Sequence, residues 1–232
     1  MIHLLWCTIR TIDFPKFHKT WLDNSKNKDF KTHVLVSTET EKLFLETYFL
    51  SIKHQFEIIV FKPKYTGVCL PSYKLSSTLN YVNDDIIVFG SDDFTPPKEW
   101  DVYLKSKLTN KNGVLFVRDG YQLPDSSNML YPAITIPILT GKALRDMNSI
   151  IYHPCYSHMF SDCELYLTSK DLGLLIDDRL SDSTEFTHHH YAAGKRNADK
   201  YDQSYNQNWQ KDESTWKQRK DMPVEKRILV SI

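Results

Sequence analysis

Glycine is scarce in this sequence and cysteine scarcer still, with 7 and 4 residues among 232. Cys7, Cys69, Cys155 and Cys163 form no CxxC pair, which removes zinc knuckles and dithiol redox motifs. Scattered thiols of this kind fit reduced cysteines of a cytoplasmic protein, the host cytoplasm if the gene is viral. No apolar run reaches the roughly eighteen residues of a membrane-spanning helix. A basic leader is also missing: the opening MIHLLWCTIRTI carries a short apolar stretch before Arg10 and reads as a first strand, not a secretion signal. No charge of one sign dominates, because 29 basic side chains meet 29 acidic ones, so the basic excess of a nonspecific nucleic-acid coat is absent. Neither an internal repeat nor a low-complexity segment interrupts the chain.

What is present is an alternation of short apolar runs and amphipathic segments. Residues 3–9, 32–37, 56–61 and 85–89 read as strands. Between them, Phe14, Phe17, Trp21 and Leu22 recur at helical spacing behind Asp13 as N-cap and Pro15 in the first turn. Residues 40–54 read as a second helix and 72–83 as a third, the latter placing Leu75, Leu79 and Val82 on one face. The run DIIVF at 85–89 is apolar on both faces, as the centre of a mainly parallel sheet requires. This rhythm specifies an α/β protein, a mixed, mainly parallel Rossmann-like sheet with helices on both faces. Residues 100–108, 140–147 and 161–167 are further helix candidates, and 113–117 and 133–139 further strands. The tail differs. Between His188 and Pro223 it has no Leu, Ile, Val or Phe, yet it carries Tyr191, Tyr201, Tyr205, Trp209 and Trp216. Such a stretch cannot form a core of its own, so it is expected to lie on the α/β body by its rings.

Ligands of open α/β sheets bind outside the carboxyl ends of the strands. There the central strand runs into Gly90, Ser91, Asp92, Asp93 and Phe94. Adjacent carboxylates repel unless a cation or donor lies beside them, and a hard divalent ion shared with a substrate phosphate is one solution. A helix N-cap or Asx-turn is the other use of such acids. His188, His189 and His190 follow nearly a hundred residues later, and imidazole suits a Mn²⁺-like ion. Asp162 and Glu164 open a helix behind Ser161 as N-cap, where an acid either serves as general base to a bound hydroxyl or simply favours the helix N-terminus.

The first strand with Thr8 and Arg10, the SDDF of 91–94, the SDCE of 161–164 and the late histidines together resemble the nucleotide-sugar-dependent glycosyltransferases of the GT-A fold, in their inverting, family-2-like group. The resemblance spans residues 1–219 by order of elements, and Ser91 stands where a strict DxD motif has its first acid. It implies a catalytic domain over 1–190, with a nucleotide-binding half at 1–93 and an acceptor half at 94–190, and an extension over 191–232 packed on the body. It implies Mn²⁺ or Mg²⁺ held by Asp93, His188 and His190, and a donor, most simply a UDP-sugar, held by Thr8, Arg10, Tyr73, Lys74, Asn80, Asp92 and Asp93. Tyr65 or Tyr73 would stack on the nucleotide base. Asp162 would be the catalytic base, with Glu164 as the reserve.

Other readings come from other classes. A nucleotidyltransferase shares the sheet and acidic ligands, but usually opens with a glycine-rich loop, and residues 7–14 hold no glycine. The aromatic tail, +3 against −3 for the rest of the chain, suits a nucleic-acid binder whose rings stack on bases. The two ideas combine in a phage-type glycosyltransferase acting on hydroxymethylated bases in DNA, as against one with a saccharide acceptor. A sugar-binding relative without catalysis is the remaining reading.

Overall fold

The structure, a computed structural model, describes residues 1–61, 67–120, 132–181, 184–190, 194, 197 and 208–230. Its first half alternates strictly: β1 (Ile2–Cys7), α1 (Phe14–Asn24), β2 (Phe30–Val36), α2 (Glu39–Ile52), β3 (Phe56–Val60), α3 (Cys69–Thr78) and β4 (Ile86–Gly90). Then come β5 (Phe94–Thr95), α4 (Trp100–Leu108), β6 (Val114–Phe116), β7 (Ile138–Thr140), α5 (Gly141–Asp146), α6 (Ser161–Asp171), β8 (Leu175–Asp177) and β9 (Thr187–His188). Two helices of the tail follow, α7 (Trp209–Arg219) and α8 (Val224–Arg227).

Seven strands form one sheet in the order β3-β2-β1-β4-β7-β6-β8. All run the same way except β7, which is antiparallel to both neighbours. Alternation along β1 explains the two layers. Ile2, Leu4 and Trp6 join a core with Phe14 and Trp21 of α1, Leu45 and Phe49 of α2, and Trp100 and Leu104 of α4. Leu5 faces the opposite way, into a core with Leu75 of α3, Leu144 of α5, Leu165 of α6 and Trp216 of α7. Gly90 ends β4 where a Cβ would lie 2.8 Å from the Trp6 ring, so glycine lets that indole cross the strand end.

Local chemistry fixes some helix ends and shifts others. A capping box starts α2: the Glu41 N–H donates to Thr38 Oγ1 at 3.2 Å and Glu41 Oε2 accepts from the Thr38 N–H at 2.9 Å. Asp13 makes no side-chain cap for α1, although Pro15 does lie in its first turn. The third helix begins earlier than residue 72 and ends at Thr78, because Pro71 fits a first helical turn and Val82 is 66% exposed instead of facing a core. Residues 133–139 shrink to the short β7, and β8 is an addition to the expected strands. The tail is no loose strap where it is described: Asp212 and Trp216 of α7 are buried against the body.

A polar cluster under α1 and α2 predicts acid sensitivity. Buried His18 meets Tyr48 Oη at 3.0 Å and Thr32 Oγ1 at 2.9 Å, and the same hydroxyl meets His54 Nε2 at 2.9 Å. Burial holds His18 well below its ordinary value and brings His54 to about 4. The unfolded chain takes up protons on these rings near pH 6.5, which the folded chain refuses. Stability is therefore fully present above pH 6.5 and lost as pH falls toward 4. Urea midpoints measured from pH 7 to 5 are expected to drop; a flat profile would contradict this reading of the cluster.

Candidate active site

The chain leaves β1 outward through β2 and β3, then returns to place β4 on the other side of β1. This reversal opens a crevice at the carboxyl ends of β1 and β4, the ligand position of open α/β sheets. Residues 8–10 and 91–93 stand at those ends.

The adjacent acids are not left facing one another. Asp92 forms an ion pair with Arg10, and Asp93 turns to His188, whose Nε2 lies 3.1 Å from Asp93 Oδ2. Ser91 Oγ also donates to Asp93 Oδ1 at 2.5 Å. Burial pushes the Asp92 carboxyl up, with Arg10 opposing and Asp93 adding to the rise. A small antiparallel ribbon makes the Asp93–His188 contact: β5 pairs with β9, setting Phe94 opposite His188, and the His189 N–H donates to Asp93 O at 2.7 Å. The Phe94 and His188 rings stack at 4.2 Å. Burial alone would lower the His188 value, but the carboxylates of Asp119 and Asp93 raise it to about 9, so the ring is cationic at neutral pH.

Asp162 opens α6 on the same side. Phe160, in the left-handed region at φ 64°, precedes the helix, and Ser161 is its first residue and no side-chain cap: its hydroxyl donates to His158 O at 2.8 Å. Asp162 Oδ1 accepts from the Cys163 N–H at 2.9 Å. Burial raises the Asp162 carboxyl against the hydrogen bond from the Cys163 N–H and, more weakly, the His188 charge, and the buried Tyr152 hydroxyl is held well above its ordinary value by burial and then by carboxylates that include Asp162 and Asp93. The proposed base and the Asp93–His188 pair thus share one electrostatic environment.

Several expected residues are placed otherwise. Glu164 is 4% exposed and taken up by a two-pronged pair with Arg219 of α7 (2.7 Å at its shortest) and by the Tyr156 hydroxyl at 2.7 Å. It anchors the tail and is not a reserve base. Asn80 lies beyond the end of α3, exposed on the chain's way to the amino end of β4, away from the crevice. Thr8 is 4% exposed and its Oγ1 accepts from the Arg10 N–H at 3.0 Å, so it shapes the turn that aims Arg10. Tyr73 and Lys74 are half-buried on α3, next to Ser72, which bonds Cys7 at the end of β1. His190 packs edge-on against His188 at 4.9 Å, and His189 meets Thr95 Oγ1 at 2.9 Å. Among the described residues no group of three His, Cys, Asp or Glu side chains is arranged to cage an ion, so the structure brings Asp93 and His188 together without forming a three-ligand set with His190. Tyr65, Tyr191, Tyr201 and Tyr205 lie outside the described residues.

Neighbouring ligands of an octahedral ion, each about 2.1 Å from it, stand about 3.0 Å apart. The 3.1 Å between Asp93 Oδ2 and His188 Nε2 matches, and one oxygen with one imidazole nitrogen suits Mn²⁺. The proton His188 carries takes the place an ion would take, so binding would release it. Two protein ligands would leave the rest of such an ion's shell to phosphate oxygens and water.

Sequence reading missed Asp119 and Asp212. Asp119, just past β6 and 1% exposed, lies 3.9 Å from His188 Nδ1. Asp212 of α7 is wholly buried and accepts from the backbone N–H groups of Ser157, His158 and Met159, each at 2.9 Å. Ser157 O in turn accepts from the Val68 N–H at 3.0 Å, and a Cβ on Gly67 would reach that oxygen at 2.0 Å. The tail helix therefore braces the turn between the start of α3 and the start of α6. Because Trp216 is 3% exposed, it cannot stack on a base.

No protein-family model and no curated protein matches the chain. Solved structures do. The 1–349 portion of Staphylococcus aureus TarS in complex with UDP-GlcNAc aligns with a TM-score of 0.60 at 14% identity, over 82% of this chain and 59% of that one. A second structure of the same portion aligns at 0.59 and 14% identity over 98% and 77%. A Bacillus anthracis protein described as a glucose-1-phosphate thymidylyltransferase aligns at 0.52 and 12% identity over 89% and 99%. Against S. aureus TarS as a longer chain, the alignment spans only 36% of its length. Among the described residues no helix is long and apolar enough to cross a membrane. Strand order, the single reversed strand and these likenesses agree: the chain has the GT-A fold.

Proposed function

We propose that the chain is a glycosyltransferase that moves a sugar from a nucleotide-sugar donor to an acceptor hydroxyl with inversion. The observation that carries this reading is the convergence of Asp93, His188 and Asp162 at the crevice of a GT-A sheet whose TarS relatives were solved with UDP and UDP-GlcNAc. In this reading Asp162 accepts the proton of the acceptor hydroxyl as its oxygen bonds the anomeric carbon. The bond from that carbon to the diphosphate oxygen breaks, and the nucleoside diphosphate leaves with the electron pair. Burial, by raising the Asp162 carboxyl, brings its basicity nearer to working pH, where general-base catalysis is most efficient. Asp93 and His188 would hold Mn²⁺ or Mg²⁺, which when bound supplies Lewis-acid neutralisation of the departing diphosphate. Arg10 pairs with Asp92, which would leave Asp93 as the acid available to the ion.

The thymidylyltransferase likeness supplies a rival on the same fold. The loop after β1 speaks against it: without glycine, it is filled by the Thr8 turn and the Arg10–Asp92 pair instead of forming a backbone phosphate cradle. A saccharide acceptor is preferred to DNA, since Trp216 and Arg219 of the basic, aromatic tail are turned into the protein. A thermal-shift screen of nucleoside diphosphates, nucleotide sugars and nucleoside triphosphates with and without Mn²⁺ tests the assignment. Ligand at about 100 times its Kd adds about 2.7 kcal/mol to stability. Stabilisation by diphosphates and nucleotide sugars, enhanced by Mn²⁺, is the expected pattern; stabilisation by triphosphates alone would favour the nucleotidyltransferase.

A further inference from the structure

We propose that Asp119 is a positioning residue that sets the ring of His188, directing Nδ1 toward its own carboxylate and Nε2 toward Asp93. The proposal rests on the reading of Asp93 and His188 as ion ligands.

Asp119 follows β6 at the carboxyl edge and is almost wholly enclosed. Its Oδ2 accepts from the Thr135 hydroxyl at 2.6 Å, and the Thr135 carbonyl accepts from Tyr152 at 3.4 Å, so the carboxylate is held in place. The backbone delivers His188 to it: the His188 N–H donates to Asp119 O at 2.9 Å, and Phe186 N–H to Arg118 O at 2.9 Å. With Phe94 stacked on one side at 4.2 Å and His190 packed edge-on at 4.9 Å, the ring has little freedom beyond a flip. A flip would exchange which nitrogen faces which carboxylate. Asp119 Oδ2, 3.9 Å from Nδ1, favours a proton on that nitrogen and so leaves the Nε2 lone pair for an ion beside Asp93. Carboxylates that hold the far N–H of a metal-ligating histidine fix its tautomer and raise its basicity, and losing one typically costs about 10–100-fold in metal affinity.

The test compares wild type, Asp119→Asn and Thr135→Val by Mn²⁺ titration in the presence of UDP, followed by electron paramagnetic resonance of the free ion. Imidazole ¹⁵N resonances of His188 are recorded without metal at a pH above the titration of the ring, where it is neutral and one nitrogen alone carries the proton. Asp119→Asn is expected to weaken Mn²⁺ binding about 10–100-fold and to shift His188 toward mixed tautomers. Thr135→Val, which removes only the hydroxyl bracing Asp119, should move both readouts the same way by less. Wild-type affinity and an unchanged tautomer in folded Asp119→Asn would overturn the proposal. If that variant does not fold, the same result in Thr135→Val does so. Absence of Mn²⁺ binding in the wild type would defeat the ion reading instead, and the tautomer comparison would still decide the role of Asp119.

Discussion

Asp162→Asn is expected to bind the nucleotide sugar as wild type does and to transfer the sugar about 10²–10⁴ times more slowly, the usual worth of a general base. The carboxamide has the carboxylate's shape, and its oxygen can still accept from the Cys163 N–H that Asp162 now holds at 2.9 Å. What disappears is the ability to take a proton. Measured against donor affinity in the same variant, the effect should fall on kcat and spare the Kd. Full turnover would remove Asp162 from the chemistry. Glu164 could not then replace it, since its carboxylate is enclosed with Arg219 and Tyr156.

The largest effect on stability is expected at Asp212→Ala. Its carboxyl oxygens take three backbone N–H groups in a site closed to water. Alanine strands all three, and a buried unmade hydrogen bond costs about 1–3 kcal/mol. Even the low end gives a loss of about 3 kcal/mol, or about 6–12 °C in Tm for a chain of this size. Catalysis should suffer beyond the folded fraction, because the released turn joins the Val68 N–H at the start of α3 to the loop leading into Asp162. A melting point within about 2 °C of wild type, well short of that loss, would show that the turn holds itself without the tail.

The readable parts of the sequence were those in which one face is apolar. The runs in β1, β2 and β4 declare a sheet buried on both sides, and SDDF directly after β4 marks the crevice because strand ends hold the ligands of such sheets. The same rule, applied to β6, points to Asp119 in VRDG, and only its lone position hid it among ordinary surface acids. Amphipathic counting failed where helix contacts are polar. In α7 the docking stripe is Asp212, Trp216 and Arg219, spaced as a helix face but carrying a single ring, so hydrophobic periodicity passes over it. In α3 it failed in the opposite sense, since Val82 continues the apolar count past a helix that has already ended. Pairing of the acids was beyond sequence reading altogether. Repulsion between Asp92 and Asp93 demands cations, but that Arg10 serves one and His188 the other depends on how the loops after β1 and before β9 fold back.

The central claim is that Asp93 and His188 grip an ion that neutralises a diphosphate as it leaves a sugar. Its most direct test is release of nucleoside diphosphate from the stabilising donor, by wild type and by Asp93→Ala, in Mn²⁺ and in excess chelator. The account predicts turnover that needs Mn²⁺ in the wild type and is lost in the variant while the fold persists. Equal turnover by both proteins in the presence of chelator would contradict it.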